Sequence, residues 1–174
     1  ARGHNNFSFQ EVSSGAEIAL KYIPTILPPK KYFLPTQETI TSYNKRKNTL
    51  NAILEYEKMV IFGVHTCDLA GIQCLNMVFA DKPKDINYII RKNKIAILGL
   101  ECNNYCDEYA SCCVVDNHLP NGGYDLFFTD LGEVFFVHIN TMLGEELVIK
   151  SAVFKPADAK MLKALESVRE KKRS

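Results

Sequence analysis

The sequence predicts an α/β fold: a mixed, mainly parallel sheet with helical crossovers and a late β-hairpin. Two observations carry that prediction. Two short, apolar, β-rich runs, Met59–Val64 and Lys94–Leu100, are separated by residues patterned as helix. Strands alternating with helices build parallel sheets, so the unit from 59 to 100 should be parallel with a right-handed crossover. Further on, Tyr124–Thr129 and Glu133–Ile139 flank Asp130-Leu-Gly132, which reads as a hairpin turn between two strands.

Taken in order, residues 1–6 are polar, contain Gly and Asn, and are expected to be disordered. Phe7 to Val12 alternates apolar and polar residues, which suits a half-buried strand. Ser13-Ser-Gly15 is a turn, and Ala16 to Leu20 reads equally as strand or short helix. Pro24, Pro28 and Pro29 exclude regular helix up to Lys30, since each removes a backbone donor and fixes φ. After a capping Thr36, Glu38 to Leu54 patterns as a helix, with Ile40, Tyr43, Leu50, Ile53 and Leu54 partly on one face. The Lys45-Arg-Lys47 run inside it suits a solvated face or loop.

Beyond the strand at 59–64, Thr66 or Asp68 caps a mostly apolar helix ending near Ala80. Cys74 inside it is expected to pack as a small hydrophobe. His65, just before it, is expected to be hydrogen-bonded and structural. Asp81-Lys-Pro83 turns the chain, and Asp85 caps a helix to about Lys92. A loop over 101–123 follows the second strand and ends in Pro120-Asn-Gly-Gly123, a strong turn signal. Thr141 to Leu147 starts a short helix. From Pro156, the residues Met161, Leu162, Leu165 and Val168 make an amphipathic helix. Its basic tail, Arg169 to Arg173, is expected to fray in solvent. The chain thus divides into an α/β cysteine-site domain, 1–150, and a C-terminal helix with basic tail, 151–174.

A chain of 174 residues is long enough to bury a sizeable core. A formal net charge of +1 argues against a nucleic-acid partner. No apolar run approaches the roughly 20 residues of a membrane span. The start lacks the basic, apolar and cleavage regions of a secretion signal. Six cysteines are too few for a disulfide scaffold at this length. They are expected to be reduced thiols or ligands in the cytoplasm.

Four of those cysteines, Cys102, Cys106, Cys112 and Cys113, fall within twelve positions at the end of the second strand. A fifth, Cys67, follows the first strand. In a parallel sheet both groups lie at the carboxyl edge, where open α/β sheets place their sites. Soft thiolates gathered at one edge read as a metal or cluster site. Cys102, Cys106 and one of Cys112 or Cys113 supply three ligands, and Cys67 closes the set. Both an iron–sulfur cluster and a structural zinc accept four thiolates. Adjacent Cys112 and Cys113 point apart in an extended chain, so both ligating one metal is disfavoured. Dinucleotide, phosphate-loop and nucleophile-elbow motifs are absent, as is the C-x₂-C-x₂-C-x₃-C-P ferredoxin run. Cys67, His65 and Asp68 are sequence neighbours, whereas a nucleophilic triad converges from separate segments, so no catalytic residue is assigned.

Several segments occur in a telling order: Pro29-Lys-Lys-Tyr-Phe-Leu-Pro35 with Glu38, Gly63-Val-His-Thr-Cys-Asp-Leu69, Gly99-Leu-Glu-Cys102, Cys112, and Gly123-Tyr-Asp-Leu126 through Gly132. Over roughly residues 20–150 the chain resembles the amino-terminal domain that the β subunit of cytosolic nickel–iron hydrogenases (sulfhydrogenases) shares with its counterpart in anaerobic sulfite reductase. The resemblance implies an electron-transfer component of an anaerobic oxidoreductase complex, working between catalytic and flavin-containing subunits. It implies an iron–sulfur cofactor, expected to be 4Fe-4S, on Cys67, Cys102, Cys106 and Cys112 or Cys113. The family's Cys-Phe-Cys pattern appears here as Cys112-Cys113-Val114, with Cys106 extra. Its C-terminal ferredoxin-like module does not follow residue 150, so the chain is expected to be a split subunit, a standalone relative or an excised domain.

Two rival readings stand beside this one. One is a non-catalytic assembly module with zinc or no metal; the other is a thiol-based redox enzyme using Cys112 and Cys113. The loop at 29–35 is expected to lie near the cysteine edge and to dock a partner. Tyr32 and Phe33 would supply apolar area, and Lys30 and Lys31 the charge that steers an acidic surface. The opposing reading has the two aromatics plugging the core.

Overall fold

The computed structural model describes residues 7–22, 25 and 27–173. The expectations for residues 1–6 and Pro24 lie outside the described residues. The elements are β1 (Thr41–Asn44), β2 (Thr49–Ala52), β3 (Met59–Val64), α1 (Thr66–Phe79), α2 (Ile86–Lys92), β4 (Ile95–Leu100), β5 (Leu126–Asp130), β6 (Phe135–Ile139), α3 (Met142–Ser151) and α4 (Ala159–Arg173). Short 3₁₀ turns occupy Gly15–Glu17 and Pro29–Tyr32.

The fold is α/β. A four-stranded mixed sheet runs β3-β4-β5-β6. β3 and β4 pair in parallel, with Met59 opposite Ile95 and Ile61 opposite Ile97. β4 and β5 are also parallel, and β6 closes the sheet antiparallel to β5. β4, with a parallel neighbour on each side, is apolar throughout, and five of its six residues are buried. Asp85 caps α2 by accepting from the Tyr88 amide, and Thr141 caps α3 by accepting from the Gly144 amide. At the β5–β6 turn Asp130 accepts from the Gly132 amide, and Gly132 takes a φ of +101°. Glycine reaches that conformation without a Cβ clash.

The core comprises Ile61 and Val64 of β3, Leu69 and Ile72 of α1, Tyr88 of α2, Ile95 and Ile97 of β4, Tyr124 and Phe127, and Phe33. Gly99 allows the close approach of β4 to Phe127: a Cβ there would sit 2.3 Å from the Phe127 ring.

Several expectations are corrected. Residues 38–54 form no helix; β1 and β2 pair as an antiparallel hairpin, with Tyr43 opposite Leu50. The reason is local. The Asn44 carboxamide accepts from the Arg46 and Lys47 amides, and Asn48 adopts a φ of +49°. Both are turn habits of asparagine that compete with helix. Phe7 to Val12 is not a strand. The Phe9 carbonyl instead accepts from the Lys31 ammonium and the Tyr32 hydroxyl, while its ring packs on the core. Ala16 to Leu20 holds only the end of a 3₁₀ turn. His65, not Thr66 or Asp68, is the N-cap residue of α1, and no side chain caps that end. Cys74 is exposed and does not pack. α1 buries Thr66, Leu69 and Ile72, and Cys74 lies about 200° around the helix from Ile72.

The basic tail is corrected as well. It does not fray, because Arg169 and Lys172 turn into the molecule from α4. Phe33 has no exposed surface, so it plugs the core and offers no docking area. Its carbonyl accepts from Arg91 Nε at 2.9 Å, and the same guanidinium holds Glu38 through both nitrogens at 2.5 and 3.1 Å. This fork is how the Pro29–Pro35 loop is fastened to α2.

Candidate functional site

The parallel pairing of β3 and β4 brings their carboxyl ends to one edge. Cys67 sits in the first turn of α1, directly after β3, and Cys102 lies two residues past β4. Cys106 and Cys112 come from the loop that β4 feeds. A tight turn presents Cys112: its carbonyl accepts from the Asn117 amide at 2.8 Å, and Asp116 takes a φ of +53°. All six cysteines are free thiols.

Cys67, Cys102, Cys106 and Cys112 lie within electrostatic reach of one another. Burial pushes the Cys102 thiol up to about 12, and the nearby Cys106, Cys67 and Cys112 add to it. The Cys67 thiol is pushed up to about 11, by burial first, then by Asp68, with Cys112 and Cys106 contributing. The Cys106 thiol is raised by burial and then by Cys112. Cys67 keeps solvent exposure as a residue, so its thiol is the less sequestered of the first two. Amides at a helix start favour a thiolate, yet at Cys67 burial outweighs them. Cys113 stands apart, with its sulfur 2.5 Å from the Tyr105 hydroxyl on the exposed side of the loop. Of the adjacent pair, then, Cys112 joins the group and Cys113 does not.

The surroundings hold this edge firmly. Gly63 interrupts the β3–β4 register with a φ of +90°, and its carbonyl accepts from the Tyr22 hydroxyl. The Tyr22 ring stacks on His65 with centroids 4.2 Å apart. His65 is buried, and its Nδ1–H donates to the Leu100 carbonyl at 2.9 Å, as the structural reading required. Burial lowers its pKa, and its buried Nε2 has no hydrogen-bond partner among the described residues. Lys30 lies close enough to Asp68 to oppose the rise that burial gives its carboxyl. That places the cationic end of the Pro29–Pro35 loop beside Cys67.

Four side chains that hold this edge together escaped the sequence reading: Glu101, Thr129, Arg169 and Lys172. Glu101 directly follows β4 with its carboxylate 1% exposed, accepting from the Thr129 hydroxyl at 2.6 Å and from Arg169 at 3.0 to 3.3 Å. Lys172, 5% exposed, donates to the His118 carbonyl at 2.7 Å. Its charge lies near enough to lower the Cys102 and Cys106 thiols against the effect of burial. One signal was present: an acidic residue ending an apolar strand must find a cation if buried. Its partner, 68 residues later, carried no mark.

As donors, four soft thiols fit an iron–sulfur group. A single tetrahedral ion with bonds near 2.3 Å would draw its sulfurs to within about 4 Å of each other. No three Cys, His, Asp or Glu side chains are placed to hold one ion among the described residues. A multinuclear cluster spreads its ligands further apart than one ion does.

Comparison with curated proteins finds sulfhydrogenase 2 subunit beta of Pyrococcus furiosus, 33% identical over 147 residues, or 84% of this chain. The chain is a relative of the sulfhydrogenase β subunits. It spans 43% of the length of that relative. No family model and no solved structure matches the chain. No helix among the described residues is long and apolar enough to cross a membrane.

Proposed function

We propose that the chain is an iron–sulfur electron-transfer subunit or domain of a hydrogenase-type redox complex. Its cluster, of 4Fe-4S type, would be held by Cys67, Cys102, Cys106 and Cys112. The observation that carries this is the convergence of four thiols from separate segments on one sheet edge, in a relative of a sulfhydrogenase β subunit. Such a cluster would take up and release single electrons between a catalytic and a flavin-containing subunit in the cytoplasm. A sulfite-reducing complex would use the same electron relay with a different catalytic partner.

The chain's own contribution is to hold, shield and tune. Tyr22 and His65 fix the end of β3, and Glu101 fixes the end of β4. Burial raises the Cys67, Cys102 and Cys106 thiols and keeps them protonated near neutral pH, so loading must release protons and is favoured as pH rises. Raised thiols are the opposite of an activated nucleophile, which speaks against Cys67 or Cys102 as a catalytic thiolate. Lys30 and the apolar face of Tyr32 would meet the partner beside the centre.

The test is reconstitution of the anoxically prepared chain with iron and sulfide. The proposal expects about four irons and four sulfides per chain with broad visible absorption. Serine at Cys67, Cys102, Cys106 or Cys112 should lower iron content, whereas Cys113→Ser should not. A colourless chain with stoichiometric zinc would replace this reading with that of an assembly module.

A further inference from the structure

A buried cation with no anion is out of place in a folded protein. Lys172 is 5% exposed, and among the described residues its Nζ has one partner, the His118 carbonyl at 2.7 Å. It makes no ion pair among the described residues. The neighbouring carboxylate, Glu101, is already engaged by Arg169 one turn earlier on α4. Taking an ammonium out of water is expensive unless a negative charge meets it there. His118 belongs to the same loop as Cys106 and Cys112, so the ammonium is anchored on the cysteine loop itself. Its electrostatic reach covers Cys102 and Cys106.

We propose that Lys172 is the counter-charge of the cysteine centre. Its ammonium balances the negative charge of a four-thiolate group and raises that group's reduction potential. This rests on the iron–sulfur reading above. As thiols the cysteines offer the ammonium no negative charge, so the lysine is better satisfied in the loaded protein than in the empty one. In such centres the net charge and the surrounding dipoles set the potential. α4 therefore belongs to the site, although its lysine touches no substrate.

The experiment compares the wild-type chain with Lys172→Met, Lys172→Gln and Lys172→Arg after iron–sulfide loading. Gln keeps a donor for the His118 carbonyl without the charge, and it stands in should Met fail to fold. The neutral variants should bind iron but shift the reduced-to-oxidised ratio at least tenfold towards oxidised at a fixed potential. That is about 59 mV downwards for one electron. Arg should restore most of the difference. A second readout is melting. The empty neutral variants should melt no lower than the empty wild type, and loading should stabilise them less. Iron lost from the neutral variants but kept by Arg would also support the proposal. An unchanged potential in loaded Met or Gln variants overturns it. So does a drop in melting temperature that is equal in empty and loaded forms, which would make Lys172 only a structural tie. Failure of the folded wild type to take up any iron sinks the cluster reading, and this inference with it.

Discussion

Replacing Arg169 by Met should be the most destabilising single change on α4. Glu101 is 1% exposed and, among the described residues, accepts from two side chains, Thr129 and Arg169. Without the guanidinium, a buried carboxylate keeps one hydroxyl donor. Removing one member of a fully buried ion pair costs about 3–5 kcal/mol, because the remaining charge stays buried and unpaired. Arg169 is 26% exposed, so solvent already screens part of the pair. The expected loss is therefore lower, about 2–4 kcal/mol. Urea unfolding at pH 7 measures it, with an unchanged m-value showing that stability alone has moved. Adding Glu101→Gln to Arg169→Met removes the orphaned charge and should recover more than half of the loss. The double-mutant cycle then reports the coupling directly. A loss below about 1 kcal/mol, or additive single effects, would mean that this pair does not hold α4 against the end of β4.

Gly99→Ala puts a methyl 2.3 Å from a fully buried ring and 3.3 Å from the Val64 carbonyl, and overpacking of this kind costs about 1–3 kcal/mol. Thermal unfolding should show the drop, and Phe127→Leu in the same chain should relieve part of it. The Cys67 and Cys102 thiols make the empty chain less stable in alkali. Their folded pKa values exceed the ordinary value of 9.0, so above pH 9 the unfolded state loses protons that the fold retains. Stability should fall from about pH 9 towards 11–12, and the Cys67→Ser, Cys102→Ser double variant should flatten that slope. Lys30→Glu with Lys31→Glu should weaken complex formation at low salt in a pull-down with hydrogenase-type partner subunits, with the parent complex salt-sensitive. Lys31 also ties down the Phe9 carbonyl, so Lys30→Glu alone separates docking from folding: unaltered binding there would leave the loop a purely structural role.

Short-range pattern encodes a good part of this molecule. The apolar runs of β3 and β4, the Asp85 and Thr141 caps and the Asp130–Gly132 turn are all signals carried by a few neighbouring residues. They specify a parallel pair, and the pair alone places Cys67 and Cys102 at one edge. Where the local reading failed, a local competitor had won: Asn44 and Asn48 turned 38–54 into a hairpin despite its helical spacing. The remainder depends on which distant side chains meet, and no local signal reports that. Whether Phe33 is core or surface depended on Arg91, 58 residues away, taking its carbonyl. Which of Cys112 and Cys113 joins the thiols depended on the turn at Asp116 and on Tyr105. The basic residues of α4 looked like a solvated tail because charge carries no periodicity that names its partner. Only the burial of Glu101 and of the cysteine loop gave Arg169 and Lys172 somewhere to go, since an unpaired charge there would cost more than ordering the helix that answers it.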